Sequence, residues 1–252
     1  MRRLLLAFSC ALISLAAPLS GQERGPRVLA FYSTHEEPDH VEFARQAVRF
    51  YAALAQRDHF SFQATTQWSD LNAANLSRCK VILWLDASPT EEQERRVFER
   101  YMEHGGAWMG FHAAGYNDAS THWPWFVNFL GAVFYGNSWP PLPAQLIVDN
   151  AANPISRRLP AKFISPANEW YSWRPDPRTS SDIEVLLTLA PANYPLGLKD
   201  TLMGGDVPVA WTNIRYRMIY VNMGHGGEIF SNSIQNRFFE NALIWLCEKD
   251  KL

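Results

Sequence analysis

Cysteine is scarce in this sequence, and its scarcity limits the kinds of fold that the chain can adopt. The 252 residues include 3 cysteines, and Cys10 lies within an apolar segment near the amino terminus. Only Cys79 and Cys247 remain beyond that segment, which excludes a small fold held together by disulfides. We expect these two thiols to be far apart, free, and without a role in chemistry.

The chain also lacks a long apolar run and an excess of basic charge. Its main apolar run, residues 4–17, is shorter than the roughly 20 residues that a transmembrane helix needs. The formal net charge is −2 and Lys and Arg do not cluster, which argues against nucleic acid as a partner.

The amino-terminal residues have the pattern of a secretory signal peptide. Arg2 and Arg3 precede the apolar run, and Pro18, Ser20 and Gly21 follow it. This pattern predicts a signal peptide over residues 1–21, cleavage just before Gln22, and a periplasmic or secreted protein that leaves the membrane. An uncleaved membrane anchor is the alternative. Residues 22–252 suit one large domain better than two small ones.

Short apolar segments alternate with amphipathic ones along the rest of the chain. Residues 27–33 (RVLAFYS) and 81–86 (VILWLD) have the composition of buried strands, and helical spacing of apolar side chains follows the first of them. Further strands are predicted at AWMGFH and at residues 144–149, 184–190, 207–211 and 217–223. This alternation predicts an α/β fold in three layers, with a mostly parallel sheet flanked by helices on both faces.

Three of the seven histidines follow predicted strands. His35 comes after the first strand, His112 ends AWMGFH, and His225 lies after the last strand in NMGHGG. Ligands of open α/β sheets collect beyond the carboxyl ends of the strands, so we expect these rings to converge there. The small residues that follow His112 allow a sharp turn with the ring pointing outward, as in a nucleophile elbow.

At this point the sequence resembles the ThuA-like (trehalose utilisation) family, a relative of the class I glutamine amidotransferases. The resemblance covers nearly the whole mature chain and rests on the order and spacing of five segments: GGAWMGFHAA, FLGAVFYGN, NPISRRLP, NEWYSW and PVAWTNIRYRMIYVNMGHG. It implies a class I glutamine amidotransferase-like, or flavodoxin-like, architecture, which agrees with the mostly parallel sheet that the alternation of segments predicts.

The resemblance places His112 at the position of the amidotransferase nucleophile. In those enzymes the elbow carries a cysteine, which a histidine after a late strand activates. Here His112 stands in place of the cysteine and His225 resembles the activating histidine. Neither Cys79 nor Cys247 can substitute, so glutamine hydrolysis is rejected.

Glu169 is the predicted acidic partner of the two catalytic histidines. It lies in NEWYSW, where the family commonly has an Asp-Glu pair and this chain has Asn168. We interpret Glu169 as a general acid or base, a metal ligand, or the ion-pair partner of an arginine such as Arg174. The predicted substrate-binding residues surround these groups: His35, Trp123, Asn137, Trp170 and Tyr171. We also expect Trp123, Trp125 and Trp170 to lie in mobile or inserted segments that cover the cleft.

The resemblance implies an exported enzyme that acts on a glycoside, disaccharide or keto-sugar. Histidine-based proton transfer would then give hydrolysis, elimination or isomerisation. One alternative is a carbohydrate-binding protein without catalysis. Another is a metal-dependent hydrolase with His35, His112, His225 and Glu169 as ligands. Because HxH and HExxH spacings are missing, the metal-free enzyme is favoured, and a divalent metal stays open as a cofactor. The oligomeric state does not follow from the sequence.

Overall fold

The computed structural model describes residues 25–118 and 120–248. The predicted signal peptide and its cleavage site lie outside these residues. None of the described helices is long and apolar enough to cross a membrane.

Eleven strands occur in the described part of the chain. In chain order they are β1 (Arg27–Tyr32), β2 (Ser61–Thr65), β3 (Val81–Leu85), β4 (Ala107–Phe111), β5 (Phe134–Asn137), β6 (Leu142–Val148), β7 (Lys162–Asn168), β8 (Tyr171–Trp173), β9 (Ile183–Leu189), β10 (Pro208–Asn213) and β11 (Arg217–Val221). The α-helices are α1 (Pro38–Asp58), α2 (Ala73–Leu76), α3 (Glu92–Glu103), α4 (Pro124–Leu130) and α5 (Ser233–Cys247).

Nine of the strands form one mixed sheet, in the order β2-β1-β3-β4-β11-β10-β9-β6-β7. Neighbours from β2 to β11 are parallel, and neighbours from β11 to β7 are antiparallel. The α/β architecture is therefore as predicted. The sheet, expected to be mostly parallel, is mixed: four of its eight strand pairs are parallel and four are antiparallel. Only residues 214–216 connect β10 to β11, and so short a connection permits only an antiparallel pair.

Helices cover both faces of this sheet. Alternate residues of β1 illustrate the division, because Val28 and Ala30 pack on the face of α1 and α5, while Leu29 and Phe31 pack on the face of α3 and α4. β3 and β4 are buried along their whole length, as strands covered on two faces must be. The carboxyl ends of β3, β4 and β11 lie side by side, because these strands are parallel and in register.

Candidate active site

His112 occupies a tight turn directly after β4. Its backbone has φ +46°, a conformation that few residues other than glycine adopt, and it opens a short 3₁₀ helix. The carbonyl of His112 accepts a hydrogen bond from the Tyr220 hydroxyl at 3.0 Å, and the ring of Tyr171 stacks on the imidazole at 4.1 Å between centroids. The turn was predicted, but the prediction that its ring points outward is wrong. His112 is completely buried because Tyr171 and the neighbouring strand cover it.

His225 reaches the same place from the end of β11. The backbone N–H groups of Gly224 and His225 both donate to the side-chain oxygen of Asn168, at 3.0 and 2.9 Å. Gly224 allows close approach, because a Cβ there would lie 2.5 Å from the Cβ of His112. The two imidazole centroids are consequently 5.4 Å apart.

Glu169 lies between β7 and β8 and faces both rings. Its Oε2 is 3.1 Å from His112 Nε2 and 3.6 Å from His225 Nδ1, while its Oε1 accepts a hydrogen bond from the Asn137 amide. Burial raises the pKa of the Glu169 carboxyl, and the neighbouring histidines oppose that rise. Asn168, which departs from the family's Asp-Glu pair, is buried and uses its amide to fix the backbone of the His225 turn.

His40 completes the cluster, and the sequence analysis missed it. It lies in the first turn of α1, with its Nε2 3.1 Å from His225 Nδ1 and its ring 5.2 Å from that of His112. Burial, together with the like-charged His112 and His225, lowers the pKa of His40 to about 3. One signal was available: His40 precedes the buried Phe43 and Ala44 by three and four residues, so it lies on the buried face of the helix.

His35 does not join the cluster. It is exposed in the loop before α1, and its described hydrogen bond runs from its backbone N–H to Ser33 Oγ at 3.1 Å. Convergence at the sheet edge therefore holds for two of the three histidines named from the sequence. The third ring is supplied by the helix that follows β1 rather than by the loop.

The four side chains offer one nitrogen or oxygen each for a metal ion. The ligand atoms of His40, His112, Glu169 and His225 all lie within 4.8 Å of one another. Three of the separations are 3.1, 3.1 and 3.6 Å. A tetrahedral ion with bonds of about 2.0–2.1 Å requires ligand atoms about 3.3–3.4 Å apart, so these three separations are close to the spacing that Zn²⁺ needs.

Hydrogen bonding fixes which nitrogen of His112 faces the centre. Nδ1 is 3.0 Å from the backbone carbonyl of Asn222, which can only accept, so Nδ1 carries the proton. The side-chain amide of Asn222 lies farther away, at 3.2 Å, and is the weaker partner. Burial and then the nearby His225 hold the pKa of His112 well below its usual value, which leaves Nε2 as a bare lone pair facing Glu169.

Two carboxylates stand behind the other two rings. Asp86 Oδ2 is 3.9 Å from His40 Nδ1, and Asp39 Oδ2 is 3.2 Å from His225 Nε2. The Asp39 contact is within ion-pair distance but is not aligned as a hydrogen bond. Carboxylates and carbonyls in these outer positions orient metal-binding histidines, and none of Asp86, Asp39 and Asn222 was named as a site residue from the sequence.

Asp86 belongs to the interior of the site. It is buried at the end of β3 with φ +61°, and its Oδ1 accepts the backbone N–H of Ala113 at 3.0 Å. Its Oδ2 has no hydrogen-bond partner among the described residues. Burial raises the pKa of the Asp86 carboxyl well above its usual value.

The predicted binding residues divide into two groups. Asn137 and Tyr171 contact Glu169 and His112, respectively. Trp170 is fully buried and donates its Nε1–H to the carbonyl of Leu142, while Trp123 packs on Trp84 and donates to Glu99.

The expected covering of the cleft by Trp123, Trp125 and Trp170 is therefore wrong. Trp123 and Trp125 lie at the start of α4, where they pack in the core face formed by α3. Arg174 likewise pairs with no carboxylate of the site; its guanidinium stacks on the Tyr135 ring at 3.7 Å.

Comparison with known proteins identifies the scaffold. The ThuA family model, described as trehalose utilisation, matches residues 27–246. A ThuA-like protein from Bacteroides uniformis has 49% sequence identity and a TM-score of 0.88, over 93% of this chain and 97% of that one. A ThuA-like protein from Parabacteroides merdae has 15% identity and a TM-score of 0.66, over 88% and 90% of the two chains.

A more distant likeness supports the amidotransferase-like fold. A GMP synthase-like protein from Thermoplasma acidophilum has 10% identity and a TM-score of 0.52, over 87% of this chain and 94% of that one. At this identity the likeness concerns the fold alone. Among curated proteins, none matches the chain.

Proposed function

The chain belongs to the ThuA (trehalose utilisation) family, and from that premise we propose that it is an exported enzyme that processes a glycoside, disaccharide or keto-sugar at a divalent metal ion. The ion would be held by His40, His112, His225 and Glu169. The family supports a role in carbohydrate metabolism; the metal, the chemistry and the export are our proposals.

The observation that carries the proposal is the convergence of four metal-ligand atoms that have few protons to share in hydrogen bonds. A single proton can satisfy two facing atoms, such as His112 Nε2 and Glu169 Oε2, but a cation satisfies all four at once. Three imidazole nitrogens with one carboxylate oxygen form a ligand set that suits Zn²⁺ or a related divalent ion.

If the substrate or a water supplied a fifth ligand, such an ion would act as a Lewis acid. It would polarise a sugar carbonyl or hydroxyl, or lower the pKa of a coordinated water. Asn137 holds one oxygen of Glu169, so this carboxylate has a fixed orientation toward the rings. Glutamine hydrolysis is not part of the proposal, because His112 stands at the nucleophile position and both described thiols, Cys79 and Cys247, lie in other parts of the fold.

A metal-free enzyme is the second candidate, and one contact favours it. The raised pKa of Glu169 and the lowered pKa of His112 allow a proton to remain on the carboxyl and to be donated to His112 Nε2 across 3.1 Å. In that case Glu169 is the acid, and His112 and His225 transfer protons at carbon or oxygen of the sugar.

Metal content and turnover separate the candidates. Protein purified without a histidine tag would be analysed for Zn, Mn, Fe, Ni and Co, then stripped with chelator and reloaded. Turnover of trehalose, its 3-keto derivative and related glycosides would be followed by NMR at each stage. We expect about one ion per chain and activity that is lost and restored with it. Turnover that survives complete metal removal would support the metal-free enzyme, and binding without turnover in every state would support a carbohydrate-binding protein.

Export is tested separately. The mature protein recovered from the cell envelope should begin near Gln22, as the sequence predicts. An intact Met1 in a cytoplasmic protein would contradict it.

A further inference from the structure

Trp139 is the half-buried tryptophan that borders the histidine cluster. It lies between β5 and β6, two residues after Asn137, and its ring centroid is 6.2 Å from that of His225, at an interplanar angle of 87°. Trp139 is partly exposed, whereas His225 is buried. This position differs from that of the buried Trp170.

The backbone of Trp139 is fixed by a separate segment, residues 194–206. Its N–H donates to the carbonyl of Lys199 at 3.1 Å, and its carbonyl accepts from the N–H groups of Leu198 and Lys199 at 2.9 and 3.0 Å. Gly197 has φ +99°, and a Cβ there would lie 2.9 Å from the Trp139 carbonyl oxygen. The neighbouring Ser138 is buried and bonded to the backbone of Trp170 on the other side.

A large apolar ring beside buried polar groups is characteristic of a ligand pocket, which combines apolar lining with a few placed polar atoms. Tyr135 is exposed too, but the Arg174 guanidinium already stacks on its ring. Trp139 is thus the better candidate for contact with a substrate.

We propose that Trp139 is the platform on which a sugar ring of the substrate lies, and that this stacking presents the next atom or bond of the sugar to the histidine cluster. An indole offers a flat apolar face that matches the C–H face of a pyranose. Asn137 and the ligand atoms of the cluster provide the polar contacts for hydroxyl groups. The inference rests on the proposed function, because it assigns the substrate's place in that site.

The test uses Trp139→Phe and Trp139→Ala, with Trp125→Phe as the matched control. Trp125 is also half-buried, but it stacks on Phe129 and donates to Glu103 on the α3 side of the sheet. Trehalose and glucose would be titrated against each protein by intrinsic fluorescence and calorimetry. KM and kcat would be measured with whichever glycoside the wild-type protein converts, and metal content would be checked throughout.

We expect Trp139→Ala to raise Kd and KM about tenfold at nearly constant kcat and metal content, because stacking binds ground state and transition state alike. Trp139→Phe keeps a smaller ring and should have a smaller effect. The fluorescence change on adding trehalose should persist in Trp125→Phe and disappear in Trp139→Phe.

Unchanged Kd and KM in Trp139→Ala, in a protein that converts sugar and binds metal normally, would overturn the platform and leave the proposed function standing. A wild-type protein that neither binds nor converts any sugar would overturn both. Trp139→Phe guards against misfolding of the alanine variant, since it preserves most of the ring's packing.

Discussion

The two halves of the central sheet contribute different parts of the site. The parallel half, β2 to β11, carries Asp86 and His112 directly after β3 and β4 and His225 in the turn after β11, and the helix that follows β1 adds His40. The antiparallel half contributes through its connections, because Glu169 follows β7 and Trp139 precedes β6, while Asn137 ends β5 of a separate two-stranded sheet formed by β5 and β8. Imidazoles therefore come from the parallel half, and the carboxylate and indole come from connections of the antiparallel half.

The burial of the strands explains this division. β3 and β4 are buried at every residue, whereas β6 and β7 alternate between buried and partly exposed positions. A doubly covered strand fixes the turn at its end because the strand itself cannot shift. β6 and β7 have partly exposed positions, so the connections beside them can vary the groups that meet the substrate while the imidazoles stay in place.

The largest expected effect follows from removing imidazoles from the parallel half. His112→Gln and His225→Gln should each reduce turnover by at least about 10²-fold, because glutamine fills similar volume without the ring nitrogen. Each variant should also lose bound metal. His35→Gln is the matched control, since His35 is exposed and outside the cluster. Turnover and metal content would be measured beside thermal unfolding. Full activity in a folded His112→Gln protein would contradict both candidate mechanisms.

Removing the charge of Glu169 tests the contribution of the antiparallel half to the site. Glu169→Gln keeps the shape and the contact with Asn137 but removes the charge that faces His112 and His225. We expect turnover to fall by about 10²-fold, with metal affinity falling less because three imidazoles remain. Glu184→Gln is the control, because Glu184 also lies in the antiparallel half and accepts amide hydrogen bonds from Asn150 and Asn153. Equal activities of the two variants would show that Glu169 has no special role.

Sequence reasoning found strands in both halves of the sheet, including β6, β9 and β10, and missed β2 and β7. Strands buried on both faces produce continuous apolar runs, so β1, β3, β4 and β11 were predicted, and the turns of His112 and His225 were predicted with the last two. β7 was missed because its sequence, KFISPAN, contains a proline and alternates in burial. The short connection between β10 and β11 was a local signal of an antiparallel pair, but β9 pairs with β6 across a long stretch of chain, and such pairing leaves no local pattern in the sequence.

The prediction of site residues from the sequence had a limit of its own. His112, His225 and Glu169 were found because strand ends and family segments point to them. His40 and Asp39 belong to a helix whose orientation toward the cluster follows from packing, and the interaction of Asn168 with Gly224 spans 56 positions. Contacts over such distances follow from tertiary structure, so two of the three rings and the Glu169 carboxylate could be named from the sequence, but His40 and the residues that orient the rings could not.

A smaller effect is expected from removing the charge of Asp86, the carboxylate behind His40. Asp86→Asn preserves the acceptor for the Ala113 N–H, and asparagine tolerates the positive φ of this position. If Asp86 orients His40, metal affinity should fall about 10–100-fold while the fold is retained. Metal dissociation constants would be measured by competition with a chelating dye. Asp182→Asn, which alters an exposed ion pair with Arg215, should leave the affinity unchanged. An affinity equal to that of the wild type would mean that Asp86 serves only the backbone of the turn.

The smallest effect is expected from replacing the two thiols, Cys79 and Cys247, because neither half of the sheet brings them to the site. Both are free and half-buried; burial raises the pKa of the Cys79 thiol, and it raises the pKa of the Cys247 thiol to about 11. At pH 8 about one Cys247 in a thousand is then a thiolate, so alkylation by iodoacetamide should be slow and should accelerate toward pH 11. The folded protein holds the thiol proton more tightly than the unfolded chain does. The thiol's contribution to stability is therefore complete below about pH 9 and is lost as pH rises toward 11.

Cys79→Ala/Cys247→Ala should keep wild-type turnover, metal content and sugar affinity. Loss of activity in a folded double variant would show that the strand-end cluster is not the whole of the chemistry.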